Sequence, residues 1–386
     1  MDSMIFILGW VMFAVAALLL LPSTVALLVR RLETTNPRTP DPTRWPLVSV
    51  IVPARDEAAA IEAGLRSLLA SNYPNLEIIA VDDRSSDATG GVMDRLACED
   101  SRLRAIHVTA LPDNWLGKSH AMHVAAASAR GEILLFTDGD VVFGPDAIRC
   151  AVRLVEARKL DHLCLIPGTI PGSYLENSLV AYFGLAAGAG MQSWLVPTSF
   201  PHVYAGIGAF NMVRREAYER IGGHEPIRLD VLDDVKLGKM LKRAGFRQDI
   251  RIGGDAVRVK WQSSAWGIVR GLEKNGFAAA DYSLLKLLCL TVPTGILILL
   301  PYAAVLAFPD VRSLGFAATI VLLHSVYALF GSLLGTGWQV APMLPVAGFV
   351  LAFAFWRSAF LTLRRQGVRW RETFYPLALL REHRYD

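Results

Sequence analysis

Three acidic pairs carry most of the chemistry this sequence can offer. Asp138 and Asp140 flank Gly139 in Thr137-Asp138-Gly139-Asp140, just after an apolar run. A small residue between two acids lets a ligand approach the backbone while both carboxylates face a hard cation such as Mg²⁺ or Mn²⁺. A solvated acidic turn is the bland explanation, and the preceding strand pattern weighs against it. Asp82-Asp83 opens Asp82-Asp83-Arg84-Ser85-Ser86-Asp87. A carboxylate there can accept hydrogen bonds from a base or a ribose, although a turn followed by Asp87 as a helix cap explains the acids as well. Asp233 and Asp234 open a helical pattern that stops at Gly245. An acid at a helix start can take the proton of an attacking hydroxyl, whereas capping accounts for one of the two and not for both. Lys118 closes Asn114-Trp115-Leu116-Gly117-Lys118 ahead of a helix, which would place an ammonium and a helix N-terminus near phosphates. The earlier glycine of a nucleoside-triphosphatase phosphate loop is missing, which argues against that class.

These residues need elements to bring them together. Apolar runs at 47–52, 76–81, 103–108 and 132–137 predict strands, and the stretches 57–70, 87–97 and 118–129 predict helices between them. That alternation specifies βα units on a mainly parallel sheet, whose strand ends share the edge where ligands bind. A less regular region, 167–208, follows. Its Gly- and Ala-rich apolar run 179–196 reads as a membrane-facing interface helix.

Bulk composition places part of the chain in lipid. Of 386 residues 53% are hydrophobic and 19% charged, with a mean hydropathy of +0.36, which is no ordinary soluble domain. Residues 4–29 carry no charge and Arg30-Arg31 follow, the pattern of a retained anchor with the chain beyond it in the cytoplasm. Prolines among polar residues make 34–46 a linker. Apolar segments at 287–306, 314–334 and 340–361 predict further membrane helices, with Pro293, Pro301, Pro342 and Pro345 making at least one kinked or incomplete. Arg364, Arg365, Arg369, Arg371, Arg381 and Arg384 assign the tail to the cytoplasm, so one of the three segments is expected to be re-entrant or interfacial. The expected organisation is an anchor at 1–30, a linker at 31–46, a cytoplasmic catalytic domain at 47–283, membrane helices at 284–362 and a basic tail at 363–386. Such a chain is a multi-pass protein of the cell's inner membrane. A net charge of +4, with arginines beside apolar segments, fits an anionic membrane surface and argues against nucleic acid as a partner. Cys98, Cys150, Cys164 and Cys289 form no C-x-x-C pair and read as reduced thiols. His120 and His123 lack an adjoining acid and read as structural or surface residues.

With those residues in view, Val48-Ser49-Val50-Ile51-Val52-Pro53-Ala54-Arg55-Asp56-Glu57 resembles the opening strand and donor loop of the family 2 glycosyltransferases. Asp82-Asp83 resembles their base-binding pair, and Thr137-Asp138-Gly139-Asp140 is similar to their D-x-D metal motif. Leu232-Asp233-Asp234 resembles their catalytic-base motif, with Asp233 where Glu is usual. The resemblance covers 47–275. It implies an α/β fold of the GT-A type, a nucleotide-sugar-binding domain with a Rossmann-like mixed sheet, here joined to transmembrane helices. Carried over, it implies that Pro53, Ala54, Arg55 and Glu57 line the donor pocket and that Asp83 binds the base. Lys118 would meet the diphosphate or the sugar, Asp138 the ribose and, with Asp140, the metal. Asp234, beside Asp233, would deprotonate the acceptor, with Gly206-Ile207-Gly208-Ala209-Phe210-Asn211 on the acceptor side. The implied reaction is an inverting, Mg²⁺- or Mn²⁺-dependent transfer from a nucleotide-sugar, a UDP-sugar in this reading.

The Q-x-x-R-W motif of processive synthases is absent after Asp234, and Lys260-Trp261-Gln262 is scrambled relative to it. The segments 266–275 and 367–377 are similar instead to the lipid-modifying branch with hopanoid-associated and carotenoid glycosyltransferases, which implies a membrane lipid as acceptor. In that branch Trp370 and Arg371 either fold back toward the site or anchor the tail. A processive polysaccharide synthase and a non-catalytic membrane nucleotide-sugar-binding protein are the alternatives. A nucleotidyltransferase is disfavoured because Pro53-Ala54-Arg55-Asp56-Glu57 lacks the glycines of a triphosphate loop.

Overall fold

Strand β1 (Val48–Ala54) is buried at all seven positions, as a central parallel strand covered on both faces must be. In the computed structural model, which describes residues 2–33, 39–262 and 264–385, β1 pairs in parallel with β2 (Leu76–Asp83) and with β4 (Ile133–Phe136). β3 (Leu103–Val108) extends the parallel half beyond β2. The other half is antiparallel: β7 (Asn211–Arg214) runs against β4 and against β6 (His162–Thr169), and β5 (Val142–Phe143) against β8 (Gln248–Val259). The eight strands lie in the order β3-β2-β1-β4-β7-β6-β8-β5. The sheet is therefore mixed, of the GT-A type, and less parallel than the βα alternation alone suggests.

Helices α2 (Ile61–Leu69), α3 (Thr89–Glu99), α4 (Gly117–Ser128) and α5 (Ala147–Arg158) fill the crossovers, and α7 (Arg215–Arg220) and α8 (Asp233–Arg243) follow the antiparallel strands. One core packs α2, α3 and α5 on one face of the sheet. A second packs Ala121, Met122 and Ala125 of α4 with Leu237 and Met240 of α8 against Ile51, Ile79 and Phe136. Small residues on α4 allow that helix to lie close to the strands. α8 stops where Gly245 turns to φ +83, a conformation that suits glycine.

This sheet-bearing unit comprises Arg30–Gly168, Leu195–Lys260 and His383–Asp386. The expected catalytic domain ran on to residue 283, but 169–194 and 261–283 group with the apolar helices, since α6 (Tyr174–Gly190) and α9 (Ala265–Ala279) pack on them. The expected linker differs too. Arg31 bridges to Ile252 of β8, Leu32 is buried in the core, and Asp41 pairs with Arg149 and Arg153 of α5. Residues 34–38 of that linker lie outside the described ones.

The helical unit holds α1 (Asp2–Val29), α6, α9, α10 (Leu284–Ala307), α11 (Leu314–Leu333), α12 (Leu344–Arg365), the hairpin β9–β10 (Gly367–Trp370, Thr373–Pro376) and α13 (Leu377–Glu382). By length and composition four helical stretches here are able to cross a membrane: Asp2–Val29, Leu284–Ala307, Val311–Leu333 and Trp338–Arg365. α10 stays helical through Pro293 and Pro301. α1 and α11 run the same way: Gly9 meets Gly315 and Phe316 near one end, while Leu27 and Phe330 meet Gly188 of α6 near the other.

The chain then doubles back. Thr336 N and Gly337 N donate to Gly331 O, and the His324 Nδ1 side lies 2.7 Å from Ala341 O, halfway along α11. α12 thus begins inside the bundle and descends beside α10. Gly348 lies against Ile298, Trp356 Nε1 donates to Thr291 Oγ1 at 3.2 Å, and Ser358 bonds to α9 just ahead of α10. Within this unit α12 therefore ends near the start of α10.

Candidate functional site

Because β1, β2 and β4 are parallel, Pro53-Ala54-Arg55, Asp82-Asp83 and Thr137-Asp138-Gly139-Asp140 leave the sheet along one edge. Pro53 and Ala54 are buried, and a Cβ on Gly139 would sit 3.4 Å from Ala54 Cβ and 2.9 Å from Ile61 Cδ1. They form the floor under the Asp138–Asp140 turn. The next residues are tied to the loop after β2. Ser86 N donates to Asp56 Oδ1 at 2.7 Å, Glu57 N to Thr89 Oγ1 at 2.8 Å, and Ala58 N to Asp87 Oδ2 at 3.1 Å. Asp87 thus braces two loops, accepting also from Thr89 N at the start of α3, which is more than the cap expected of it. The Arg55 side chain is 13% exposed, with Nε 3.7 Å from Asp56 Oδ2.

Asp82 and Asp83 point to different partners. Asp83 is buried and its carboxylate is held by Arg84, Nε to Oδ1 at 2.7 Å and Nη2 to Oδ2 at 3.0 Å. Gly117, the first residue of α4, abuts that pair: a Cβ there would lie 2.2 Å from Asp83 Oδ2. Asp82 instead accepts from Ser85 N at 3.0 Å and lies 3.2 Å from His107 Nδ1. Hydrogen bonds with Asp94, then with Asp82, raise the pKa of His107.

The remaining acids converge on Lys118. Its Nζ is 2.7 Å from Asp138 Oδ1 and 3.8 Å from Asp233 Oδ2. Below them lies Gly208, where a Cβ would be 2.9 Å from Asp138 Oδ2, 3.3 Å from Asp234 Oδ2 and 3.4 Å from Lys118 Nζ. Burial alone would lower the Lys118 pKa, but Asp138, Asp233 and Asp234 together push it up, so the ammonium is held charged. Burial raises the Asp234 pKa, with Lys118 opposing. Asp140 is pushed up to about 6, first by burial and then by the charges of Asp138 and Glu57. Asp233 is 4% exposed and Asp234 more open. The N-cap residue Leu232 offers no side-chain cap, Asp234 Oδ1 accepts from Val235 N at 2.8 Å, and both acids sit in the first turn of α8, where the helix dipole favours them.

A surplus of carboxylate at Asp138, Asp140 and Glu57 is the oxygen-rich chemistry of a hard divalent cation. Among the described residues no three His, Cys, Asp or Glu side chains form a ready-made cage. A cation here would therefore draw further oxygens from a bound ligand and from water, the habit of Mg²⁺. His120 meets Trp115 edge-on and His123 at a tilt, with centroids 5.5 and 4.9 Å away, which agrees with their structural reading.

The segment before β7 sets α8 in place. Thr137 Oγ1 donates to Ala209 O at 2.8 Å, and Asn211 Nδ2 donates to Asp234 O at 3.3 Å. A Cβ on Gly206 would come within 1.9 Å of Asp234 O, and one on Gly238 within 1.8 Å of Ala205 O. Buried His162 bonds to Asn211 Oδ1 from beneath. The supporting parts played by His162, Gly206 and Gly238, and the Arg84 grip on Asp83, escape a reading of the sequence. The closely spaced glycines at 206 and 208 are the one signal it offers.

Residues 49–222 match the family model described as Glycosyl transferase family 2. The match takes in Asp83, Lys118, Asp138 and Asp140 and stops before Asp233. Probable glycosyltransferase YdaM of Bacillus subtilis is 24% identical over 241 residues, 58% of this chain and 52% of that protein. The Beta-monoglucosyldiacylglycerol synthase of Trichormus variabilis is 32% identical over 117 residues, 30% of this chain and 25% of that protein. The chain spans about half the length, or less, of the first curated relatives it matches. Among solved structures, the mannosyltransferase PcManGT from Pyrobaculum calidifontis, in complex with GDP-Man and Mn²⁺, matches with a TM-score of 0.55 at 22% identity. That match covers 95% of this chain and 100% of that one, and it shows the shared fold.

Proposed function

We propose that this chain is an inverting, metal-dependent glycosyltransferase that moves a sugar from a nucleotide-sugar to a hydroxyl of a membrane lipid. The observation that carries the proposal is the meeting of Lys118, Asp138 and Asp234 over Gly208, beside an Asp140 whose pKa is pushed up to about 6. Asp140 and Asp138, with Glu57 near, would hold the divalent cation, whose chemistry is to neutralise the diphosphate. Asp83 would accept from the base at one end of the donor, with Arg55 and Glu57 on the loop above β1. Lys118 would stabilise the departing diphosphate and keep the sugar carbon aligned.

Asp234 would take the acceptor hydroxyl proton as the new C1–O bond forms and the old C1–O(phosphate) bond breaks. The leaving diphosphate keeps the electron pair, and configuration inverts. A carboxylate raised by burial is a better base than an exposed one. Asp233, held near Lys118, would position rather than react.

A lipid acceptor is supported by the four apolar helical stretches and by the similarity to a Beta-monoglucosyldiacylglycerol synthase. The doubling back of 334–343 leaves the arginines after α12 at the end of the bundle where α10 starts, which supports a multi-pass inner-membrane protein with a cytoplasmic tail. The donor reads as a UDP-sugar by family resemblance, while the structural relative was solved with GDP-Man. Full-length protein in native-lipid nanodiscs, given a panel of labelled UDP- and GDP-sugars with Mn²⁺, should yield a single-sugar lipid with one nucleotide. Asp234→Asn should lower that turnover by about 10²–10⁴-fold. Near-wild-type turnover in the variant removes Asp234 as the base, and a ladder of longer products makes the chain a polymer synthase.

A further inference from the structure

We propose that α9 and the β9–β10 hairpin form a platform at one end of the helical unit that binds the phosphate headgroups of an anionic lipid leaflet. The platform is a place on the fold rather than a property of composition. α9 buries Ile268, Val269 and Leu272, and its Phe277 N donates to Ser358 Oγ of α12 at 2.9 Å. Trp266, with Arg357 of α12 5.3 Å from its ring, is still 53% exposed, and Arg270, one helical turn on, is exposed as well.

The hairpin repeats the division with a period of two. Val368 pairs with Tyr375 across the strands and both are buried, while Arg369 pairs with Phe374 and both are exposed. Directly opposed residues point to the same face. One face of the hairpin is therefore seated, and the other presents a guanidinium beside an aromatic ring. Lys274 Nζ lies 3.7 Å from the Trp370 ring centroid, which fixes the hairpin to α9. The proposed platform joins the exposed residues of these two packed elements.

Charge names the occupant. Residues 364–376, which span the hairpin, contain four arginines against one acid, Glu372. Within the same region Glu273 is taken up by Arg357, and Asp281 by Lys286. Exposed tryptophan and phenylalanine beside exposed arginines are the composition of a bilayer interface, where rings sit at headgroup level and guanidiniums meet phosphates. The position agrees, because α12 ends beside the start of α10, where an apolar helix of 24 residues begins.

The proposal rests on the helical unit lying in a membrane and is independent of the transferase chemistry. To test it, the full-length chain is reconstituted in phosphatidylcholine nanodiscs carrying spin-labelled phosphatidylglycerol or spin-labelled phosphatidylcholine. Immobilisation of either lipid reports insertion, and their ratio reports the platform. Wild type should favour phosphatidylglycerol severalfold, with the preference falling at high salt. Arg369→Gln/Arg371→Gln should lose most of that severalfold preference, and the charge-keeping Arg369→Lys/Arg371→Lys should retain it. Equal retention of both lipids by wild type overturns the proposal. So does an unchanged ratio in the glutamine variant, or a preference abolished by inorganic phosphate but not by chloride at the same ionic strength, which would mark a site for a free anion.

Discussion

Two acidic pairs leave the strands on either side of β1 at the same edge of the sheet, and they meet opposite fates. At the end of β2, Asp83 is gripped by Arg84, and Asp82 is spent on Ser85 and His107. At the end of β4, Asp138 shares Lys118 with Asp233 and Asp234, and Asp140 is pushed up to about 6. The lesson is that acid type and strand-end placement nominate a site, while the balance of nearby cations decides which acid awaits one. The β2 pair is internally matched. The β4 pair carries negative charge that a divalent ion and a diphosphate-binding lysine can use together.

Breaking the β4 pair should have the largest effect. Asp140→Asn should lower Mn²⁺-supported transfer on the order of 10²–10³-fold, the scale for losing one preorganised electrostatic contact, measured as initial rates over a Mn²⁺ series. Retained activity with an unchanged Mn²⁺ optimum would make the two pairs equivalent. Asp83→Asn comes next. Losing a charged hydrogen bond to the base should raise the donor KM by about tenfold or more while kcat changes little, and a fall confined to kcat would move Asp83 out of the base pocket.

The third prediction sharpens the contrast through pH. Asp140 holds its proton to higher pH when folded than its ordinary 3.8, so between 3.8 and about 6 the folded chain binds more protons than the unfolded one. Stability contributed by this group therefore falls as pH rises through that window. In metal-free protein at neutral pH, Asp140→Asn should raise Tm by about 2–4 °C, with the gain shrinking toward acid pH in thermal melts. A destabilised variant would mean that Asp140 is satisfied by partners within the fold. The smallest effect is expected at Asp82. Asp82→Asn should change turnover by about twofold at most and cost about 1 kcal/mol or less of stability, since one of its bonds closes a turn with Ser85 and the other meets the solvent-facing ring of His107.

The parallel half of the sheet was legible because β1, β2 and β4 are apolar runs that end abruptly in charged residues, Arg55-Asp56-Glu57, Asp82-Asp83 and Asp138-Gly139-Asp140, and that boundary is both a strand end and a site. Lys118 was legible for a similar reason, as a lone cation at a helix start. The antiparallel half was not. β6 carries Pro167-Gly168 and β8 carries Gly253-Gly254-Asp255, breaks that hide a strand whose partners are distant in sequence. The base of the site was hidden as well, because Gly206, Gly208 and Gly238 matter for the atoms that approach them across the fold. In the helical unit the apolar segments were plain, whereas the doubling back at 334–343 depends on Gly335 and Gly337 at φ +80 and +91. Composition read the material and left the path open.

The most direct test is Mn²⁺ binding followed by electron paramagnetic resonance, with UDP or GDP present, on wild type, Asp140→Asn and Asp82→Asn. Wild type and Asp82→Asn should take up the ion alike, and Asp140→Asn should leave it free in solution. Equal uptake by all three proteins, or loss with Asp82→Asn alone, would contradict the assignment of the cation to the end of β4.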